Sequence, residues 1–309
     1  MAKGGCLPDT PWCAVLNASA VPWFVLALAT ALTVGIRDIV VKHVSRRMPV
    51  EMVAAGELLF GLPFFIVALF FIPAPPLDRT FWVYFLLSIP VNIASYRLYL
   101  TALHVSPISL SVPFLSFTPL FMILTGTLVL GELPGLLGTA GILFIACGSY
   151  LIHLDRNATG VLAPFTAIVR ERGSRIMVIV AFLFAFAAVI GKKAMIHSSP
   201  LFFSFFFFAV FNVLMLGILF LSGKVRWNIV VFQDWKRGML LGGLLAVHIA
   251  GHALAISMIT AAYMIAVKRT SILFTVLLGG LLFKEDHLTT RLMGTLLMVL
   301  GVLSITLFG

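Results

Sequence analysis

Charged residues are scarce in this chain of 309 residues: Asp, Glu, Lys and Arg together make up 10% of it. Hydrophobic residues make up 61%, and the mean hydropathy is +1.13. Segments such as 176–191 and 201–222 also lack polar residues at the spacing that a soluble amphipathic helix needs. A soluble domain of this length cannot bury so much apolar surface. The composition therefore predicts an integral membrane protein that has the lipid bilayer as its partner.

Cysteine and the common catalytic motifs are also scarce or missing. Cys6, Cys13 and Cys147 lack metal-ligand spacing and cannot form a disulfide framework. No Walker-type ATP motif occurs, which argues against a primary pump, and no nucleophile or metal cluster lies near an interface. We therefore expect no enzyme activity, no cofactor and no metal. The formal charge of +10 does not indicate nucleic-acid binding, because the basic residues cluster at the ends of apolar segments.

Apolar segments recur along the chain, and most are separated by a few residues. Each has about the ~20 residues that cross a ~30 Å hydrocarbon core, so we predict an all-α protein with ten transmembrane helices. The predicted spans are 22–44, 48–72, 80–103, 106–130, 134–153, 176–197, 200–222, 238–258, 260–283 and 288–308. The longer connection 154–175 separates two halves, and its PFTAIVRERGSR part is predicted to lie flat at the interface.

Two segments half a chain apart carry the same pattern. GTLVLGELPGLLGTAGILFIACG (126–148) and GGLLFKEDHLTTRLMGTLLMVLG (279–301) are related by an offset of 153 residues. The matched pairs are Gly126 with Gly279, Glu132 with Glu285, Gly141 with Gly294, and Gly148 with Gly301. We predict two repeats, 22–153 and 176–308, which are inverted because each holds an odd number of helices. Such a duplication is typical of a transporter with its site between the halves.

Several charged or titratable residues fall inside the predicted spans, where a charge costs about 2.5–3.5 kcal/mol even on the lenient insertion scale. They are Arg37, Asp38, Glu57, Arg97, His248, His252, Lys268 and Arg269. Such residues persist where they line a wet cavity or pair with one another. One interpretation is therefore a buried ion-pair network of Arg37, Asp38, Glu57 and Arg97. Snorkelling is an alternative for Arg37 and Asp38, since the first span ends soon after them.

The adjacent cations Lys268 and Arg269 lie well inside the ninth span, too far from its ends to snorkel easily. Neighbouring residues on a helix point about 100° apart, so both can face one cavity. Two cations outmatch a single carboxylate, and the guanidinium fork suits phosphate or carboxylate. We favour an anion-binding site at this pair. The alternative is a structural ion pair, with Glu57 as the expected partner.

Other polar residues are candidates for substrate contacts. We predict that Lys268, Arg269 and Arg97 hold an anionic group, with polar contacts from Tyr96, Tyr99, His252 and Tyr263. Arg37, Asp38 and Glu57 are candidates for ion pairing, and Asp38 or Glu57 for coupling to protons. His248 and His252 lie one turn apart, but without a third ligand a substrate-facing role is favoured over a metal.

Two runs of one residue type have structural readings. Pro107, Pro113 and Pro119 recur every six residues and should kink or unwind the fourth span. The segment FFSFFFFAVF, 202–211, is read as a packing or lipid-facing surface rather than a substrate box.

From residue 22 to 308 the chain resembles the drug/metabolite transporter superfamily, of the bacterial EamA-like kind. The resemblance is carried by the two repeated segments and by a lysine followed by proline near the first helix of each repeat, Lys42…Pro49 and Lys193…Pro200. The segment VKRTSILFTVLLGGLLFKE is also similar to one in the sugar-phosphate and nucleotide-sugar branch. There a Lys-Arg pair contacts substrate phosphate, which implies that role for Lys268 and Arg269.

The chain departs from these relatives at two places. The phosphate-ester transporters carry a lysine in the fourth helix, where Leu115 and Ser116 stand here, and Arg97 is a candidate substitute. EamA-like repeats often carry an arginine eight residues after the proline of the second helix, where Glu57 stands here.

These observations lead to one expectation of function and several alternatives. We expect a secondary transporter that moves a small organic metabolite, anionic in character, by alternating access. Its site would lie between spans 1, 3, 4, 6, 8 and 9. The first alternative is an exporter of cationic or neutral amphiphiles with Glu57 as counter-ion; a scaffold or receptor without transport is remote, as is an enzyme acting on lipid.

The location and orientation follow from the loops and from the resemblance. The resemblance implies a multi-pass protein of the bacterial inner membrane, and a homodimer is compatible with it. Thirteen Lys and Arg residues lie in loops after odd-numbered spans and four on the other side. The positive-inside rule then puts both termini outside, whereas family members are commonly drawn with both inside.

Overall fold

The computed structural model describes residues 22–45, 48–106, 112–153, 171–223, 225, 235–274 and 288–308. Within these ranges the elements are helical and no strand occurs, which confirms the all-α prediction. The α-helices are α1 (Trp23–Ser45), α2 (Val50–Phe71), α3 (Arg79–Val105), α4 (Thr118–Leu130), α5 (Leu136–His153), α6 (Arg172–Ile196), α7 (Pro200–Leu221), α8 (Trp235–Met258), α9 (Ala261–Lys268) and α10 (Leu288–Phe308).

Six of these helices are long and apolar enough to cross a membrane: α1, α2, α3, α6, α7 and α8. Shorter apolar helices occupy 114–130, 136–151 and 293–308, within or next to α4, α5 and α10. Helices of this length and composition are typical of a multi-pass membrane protein, and the full set of ten spans stays a prediction.

The helix ends follow from local sequence. Asp78 caps α3 by accepting a hydrogen bond from Phe81 N (2.7 Å), and Ser199 caps α7 in the same way. Glu171 caps α6 by accepting from Ser174 N (2.7 Å). Because of this cap, α6 begins four residues before its predicted start, and the 172–175 end of the predicted interfacial segment belongs to the helix. Residues 154–170 lie outside the described part of the chain.

The prolines of the fourth span delay its α-helix. A 3₁₀ helix (Val112–Phe117) precedes α4, and Pro119 stands in the first turn, where a missing N–H costs little. Thr118, at the junction, donates its hydroxyl to Leu115 O (2.7 Å). The predicted unwinding is thus observed at this end of the span, while Pro107 lies outside the described residues.

The ninth span differs from its prediction as one continuous helix. α9 ends at Lys268, and Arg269 and Thr270 form a turn before the backbone becomes helical again at 271–274. The hydroxyl of Thr270 donates to Val267 O (2.7 Å), a side-chain bond that competes with regular helix. The break falls at the Lys268–Arg269 pair itself.

The repeated glycines pack α5 against α10. A side chain at Gly141 would meet Gly301 O at 2.8 Å, and one at Gly148 would meet the backbone of Gly294. Gly141 therefore faces Gly301 while Gly148 faces Gly294, so the two helices cross in opposite directions. Small residues let membrane helices approach this closely.

Close approaches also seat α8 on α1 and α2. A side chain at Gly251 would meet Thr30 Oγ1 at 2.5 Å, and one at Gly242 would collide with the backbone of Phe60 on α2. These contacts fix the orientation of α8, and its face with His248 and His252 is turned toward α1.

The phenylalanine-rich segment of α7 is a packing surface, as predicted. Phe205 packs on Phe65 of α2 (5.8 Å between ring centroids), and Phe206 stacks on Phe85 of α3 (5.1 Å). Phe203, Phe207 and Phe211 are buried in the main apolar core. This surface holds α2 and α3 in place around the polar residues described next.

Candidate functional site

A buried ion pair joins the first two helices. The Nη2 of Arg37 on α1 donates to Glu57 Oε2 on α2 (2.7 Å), and its Nε donates to Oε1 of the same carboxylate. Glu57 is 5% exposed. Asp38 lies 3.5 Å from Arg37 Nη1 and is 43% exposed. The ion-pair network predicted for these three residues is therefore present.

Arg97 does not join that network. Its residue is exposed on α3, and it makes no hydrogen bond or ion pair with the Arg37–Glu57 pair among the described residues. The neighbouring Tyr96 and Tyr99 are closer to it. Tyr96 lies within electrostatic range of Arg37 and Glu57, and Tyr99 also of Asp38.

The two cations of α9 make no ion pair within 4 Å with a carboxylate in the described part of the chain, although Asp38 lies within electrostatic range of Arg269. Arg269 donates from Nη2 to Thr118 Oγ1 (2.7 Å), and its buried Nε has no hydrogen-bond partner there. Lys268 has neither a hydrogen bond nor an ion pair with any described residue. The proposed structural pairing with Glu57 is wrong, since Arg37 occupies both oxygens of that carboxylate. The negative end of the helix dipole at the C-terminus of α9 stabilises the two cations, but it amounts to a partial charge of about half an elementary charge.

Two histidines of α8 face the same region. Both ring nitrogens of His248 and Nδ1 of His252 are buried without a hydrogen-bond partner among the described residues. The two rings lie edge to face, with 6.2 Å between their centroids. Lys268 lies within electrostatic range of both rings, and Arg37 of His248. The structure thus brings together a set of residues that we call the polar cluster: Arg37, Asp38, Glu57, Tyr96, Tyr99, His248, His252, Lys268 and Arg269.

Tyr263 is on α9 but is not part of the polar cluster. It is 2% exposed, and its hydroxyl oxygen accepts a hydrogen bond from Gly135 N (2.8 Å) at the turn between α4 and α5. A side chain at Gly138 would collide with the same ring. Its hydroxyl is therefore engaged in holding the turn, and the predicted substrate contact is not what the geometry favours.

A second buried ion pair was missed by the sequence reasoning. Lys192 lies within α6, its side chain is 4% exposed, and its ammonium donates to Glu132 Oε1 and to Ile259 O (2.6 Å). The other oxygen of Glu132 accepts from Ala261 N (2.8 Å), the first residue of α9. We call this set, Glu132, Lys192, Ile259 and Ala261, the α9 anchor. The sequence signal for this ion pair was Glu132, which recurs as Glu285 in the second repeat.

A cleft lies between α1, α2 and α8, and no residue of the polar cluster lines it. It is lined by Val44, Met48, Met52, Val53, Gly56, Arg237, Gly238 and Leu241. This lining is apolar apart from one arginine. The polar cluster, with its unpaired cations and imidazoles, is the better candidate for a site that selects a polar solute.

No group of three metal-ligating side chains occurs among the described residues. The histidine pair therefore lacks a third ligand from this part of the chain, and a metal site finds no support there.

Comparison with known proteins identifies the family. A family profile described as "EamA-like transporter family" matches residues 21–154 and again 172–307. A solved structure described as "Crystal structure of protein" is similar over 92% of this chain and 95% of its own, with a TM-score of 0.68 and 14% sequence identity, which shows a shared fold. A search of curated proteins returns no match. Because the profile matches twice and covers most of the chain, the protein belongs to the EamA-like transporter family.

Proposed function

We propose that the protein is a secondary transporter that carries a small organic anion, with a carboxylate or phosphate group, by alternating access. Its site is the polar cluster. Membership of a transporter family supports the transport of a small molecule. The choice of an anion rests on the charges of this chain.

The single observation that carries the proposal is the imbalance of partnered charge in the polar cluster. Glu57 is bound at both oxygens by Arg37, which also holds Asp38 at 3.5 Å. Lys268 and Arg269 have a single hydrogen-bond partner among the described residues, the hydroxyl of Thr118, and Asp38, already paired with Arg37, lies within electrostatic range of Arg269. Three cations thus share two carboxylates. Buried cations without carboxylates are costly, and an anionic substrate would supply the missing charge.

The break in α9 supports the same site. Here the helix tightens: Thr270 N donates to Val267 O (3.0 Å) and Leu273 N to Thr270 O (2.9 Å), and a 3₁₀-type stretch inside a helix often marks a functional position. Here the helix ends at Lys268, and Arg269 starts the turn. The unpaired Nε of Arg269 and the nitrogens of His248 provide donors or acceptors at this point.

The repeat architecture supports alternating access. We propose ten spans in two inverted repeats, 22–153 and 176–308. The opposite crossing of α5 and α10 at Gly141 and Gly148 has the pseudo-two-fold pattern that inverted repeats produce. Rocking of one repeat against the other would then expose the polar cluster to each side in turn.

By resemblance, we place the protein in a bacterial inner membrane. From the positive-inside count we propose that both termini lie outside, although the family's habit favours inside. The test is the accessibility of single cysteines placed in the 154–170 connection to a membrane-impermeant reagent.

The experiment that tests the proposal is ligand-dependent thermal stabilisation of the purified protein. The panel contains monocarboxylates, dicarboxylates, phosphate monoesters, sulfate, benzenesulfonate, zwitterionic amino acids and organic cations. An anion at ~100 times its dissociation constant should stabilise the protein by about 2.7 kcal/mol. Lys268→Ala and Arg269→Ala should each weaken binding by tenfold or more, because a hydrogen bond to a charged group contributes about 1.5–3 kcal/mol.

Arg97→Ala is the matched control, since it removes an exposed arginine of α3 that lies outside the polar cluster. It should leave anion binding unchanged. Stabilisation by cations that is unchanged or improved in Lys268→Ala and Arg269→Ala would overturn the anion proposal. That result would favour export of cationic amphiphiles, with the half-exposed Asp38 as counter-ion.

A further inference from the structure

The histidine pair of α8 has hydrogen-bonding capacity that the described residues leave unused. Three buried nitrogens, both of His248 and Nδ1 of His252, have no partner there. Buried polar groups in native proteins are nearly always hydrogen-bonded, so unpaired ones need an explanation. Being four residues apart, the two rings share one face of α8 and meet at 6.2 Å.

The charges around the two rings come from a small number of groups. Arg37 faces His248 from α1, and Lys268 faces both rings from α9. From α2, Glu57 is already bound by Arg37. α7 carries no titratable residue, and those of α6 are two arginines in its first turn, Lys193 in its last turn and Lys192, which is paired with Glu132. Asp38, also on α1, is 3.5 Å from Arg37 and within electrostatic range of Arg269. Among the described residues, the region around the histidines therefore holds more cations than carboxylates.

This arrangement makes protonation of the imidazoles depend on the substrate. With the site free of anion, an imidazolium would be buried beside Lys268 and Arg37, two like charges. An anion bound to Lys268 and Arg269 would neutralise that repulsion and accept a hydrogen bond from the imidazolium. The proton and the anion would then favour each other's binding by the same factor.

We propose that the protein takes up a proton on the His248–His252 pair when the anion binds at Lys268 and Arg269, so that anion and proton are carried together. The inference rests on the proposed function and names its coupling ion. One ring nitrogen accepts the proton from solvent, and the other histidine stays neutral and accepts or donates a hydrogen bond beside it. When the site opens to the other side of the membrane, the anion and the proton are released together.

The test measures protons and anions on the same sample. Binding of benzenesulfonate and of sulfate, which do not titrate near neutral pH, is followed by calorimetry in two buffers of different ionisation enthalpy. The difference in heat gives the protons taken up per bound anion. We expect uptake of up to one proton per anion, and an apparent Kd that rises by up to about tenfold per pH unit over the pH range in which uptake is observed.

His248→Gln and His252→Gln keep polar side chains of similar length, and the double variant should bind the anion with proton uptake and pH dependence lost. His43→Gln, an exposed histidine on α1, is the matched control and should behave as the unaltered protein. If the double variant does not fold, calorimetry on the unaltered protein still decides whether a proton is taken up.

Each outcome has a distinct meaning. Anion binding without proton uptake overturns the coupling while leaving the proposed function intact. Uptake that persists in the double variant overturns the assignment to the histidines. Failure of every anion in the panel to bind overturns the proposed function and this inference with it.

Discussion

The Arg37–Glu57 pair offers a direct test of how the polar cluster is held together. Glu57→Gln keeps the size and shape of the side chain but removes the charge that compensates Arg37. Arg37 is 25% exposed and Glu57 5%, so the remaining guanidinium would be mostly buried. Breaking a buried ion pair from one side costs about 3–5 kcal/mol, and we expect the free energy of unfolding to fall by an amount in that range.

The double variant Arg37→Gln/Glu57→Gln separates the pair from its surroundings. Replacing both partners removes both charges of the pair, so most of the loss should be recovered. The difference between the double variant and the sum of the single variants is the interaction free energy of the pair. We expect a coupling of at least about 2 kcal/mol, because two hydrogen bonds join the same two groups.

Equilibrium unfolding in mixed micelles is the assay, with Glu51→Gln as the control. Glu51 stands in the first turn of α2, 3.9 Å from the exposed His104, and its loss should change stability by less than about 0.5 kcal/mol. A loss of under about 1 kcal/mol in Glu57→Gln, or additive single variants, would refute the reasoning. Either result would mean that the pair is solvated and that Glu57 is available to a substrate.

Three further predictions concern packing, the α9 anchor and pH. Gly141→Val should destabilise the protein by at least about 2 kcal/mol in the same assay, because its Cβ would meet backbone of α10, whereas Gly217→Val, with open space around it, should have little effect. Lys192→Met leaves Glu132 without its cation and should cost about 3 kcal/mol, most of it recovered by adding Glu132→Gln; additive losses would contradict the pairing. The hydrogen bond from the backbone N–H of Phe81 and the neighbouring His197 lower the pKa of the Asp78 carboxyl. The ionised carboxyl therefore stabilises the folded protein fully above the unfolded pKa of about 4, and this contribution is lost as pH falls through the lower folded pKa. Asp78→Asn should keep the helix cap and reduce the loss of melting temperature between pH 5 and pH 3, and an unchanged acid limb would contradict this.

The class of fold could be predicted because it depends on composition. An apolar chain with segments of spanning length has few alternatives to membrane helices. The predicted starts at 80 and 200 lie within one residue of the observed starts of α3 and α7. The break after Lys268 was not predicted, because it depends on hydroxyl groups and a turn in an otherwise apolar segment.

The partners of the charged residues could be predicted only in part. The insertion cost of charge singled out Arg37, Glu57, Lys268 and Arg269, and the structure brings all four into one region. The insertion cost did not indicate which cation would pair with Glu57. Membrane helices that are apolar on all sides give no periodicity from which to read the inward face. Substrate contacts from Tyr263 and Arg97 stay predictions; in the structure the hydroxyl of Tyr263 accepts from Gly135 N, and Arg97 is exposed on α3.

Both ends of α9 are held by the first repeat, and this has a consequence for the site. Glu132, at the turn after α4, binds the N–H of Ala261 at one end, and Thr118, at the start of α4, binds Arg269 at the other. α9 is eight residues long, so the cations and the anchor belong to one rigid element. The α9 anchor should therefore position Lys268 and Arg269 without touching the substrate. We expect Lys192→Met to weaken anion binding as well as stability, and Gly141→Val, which loosens the packing of α5 on α10, to lower stability alone.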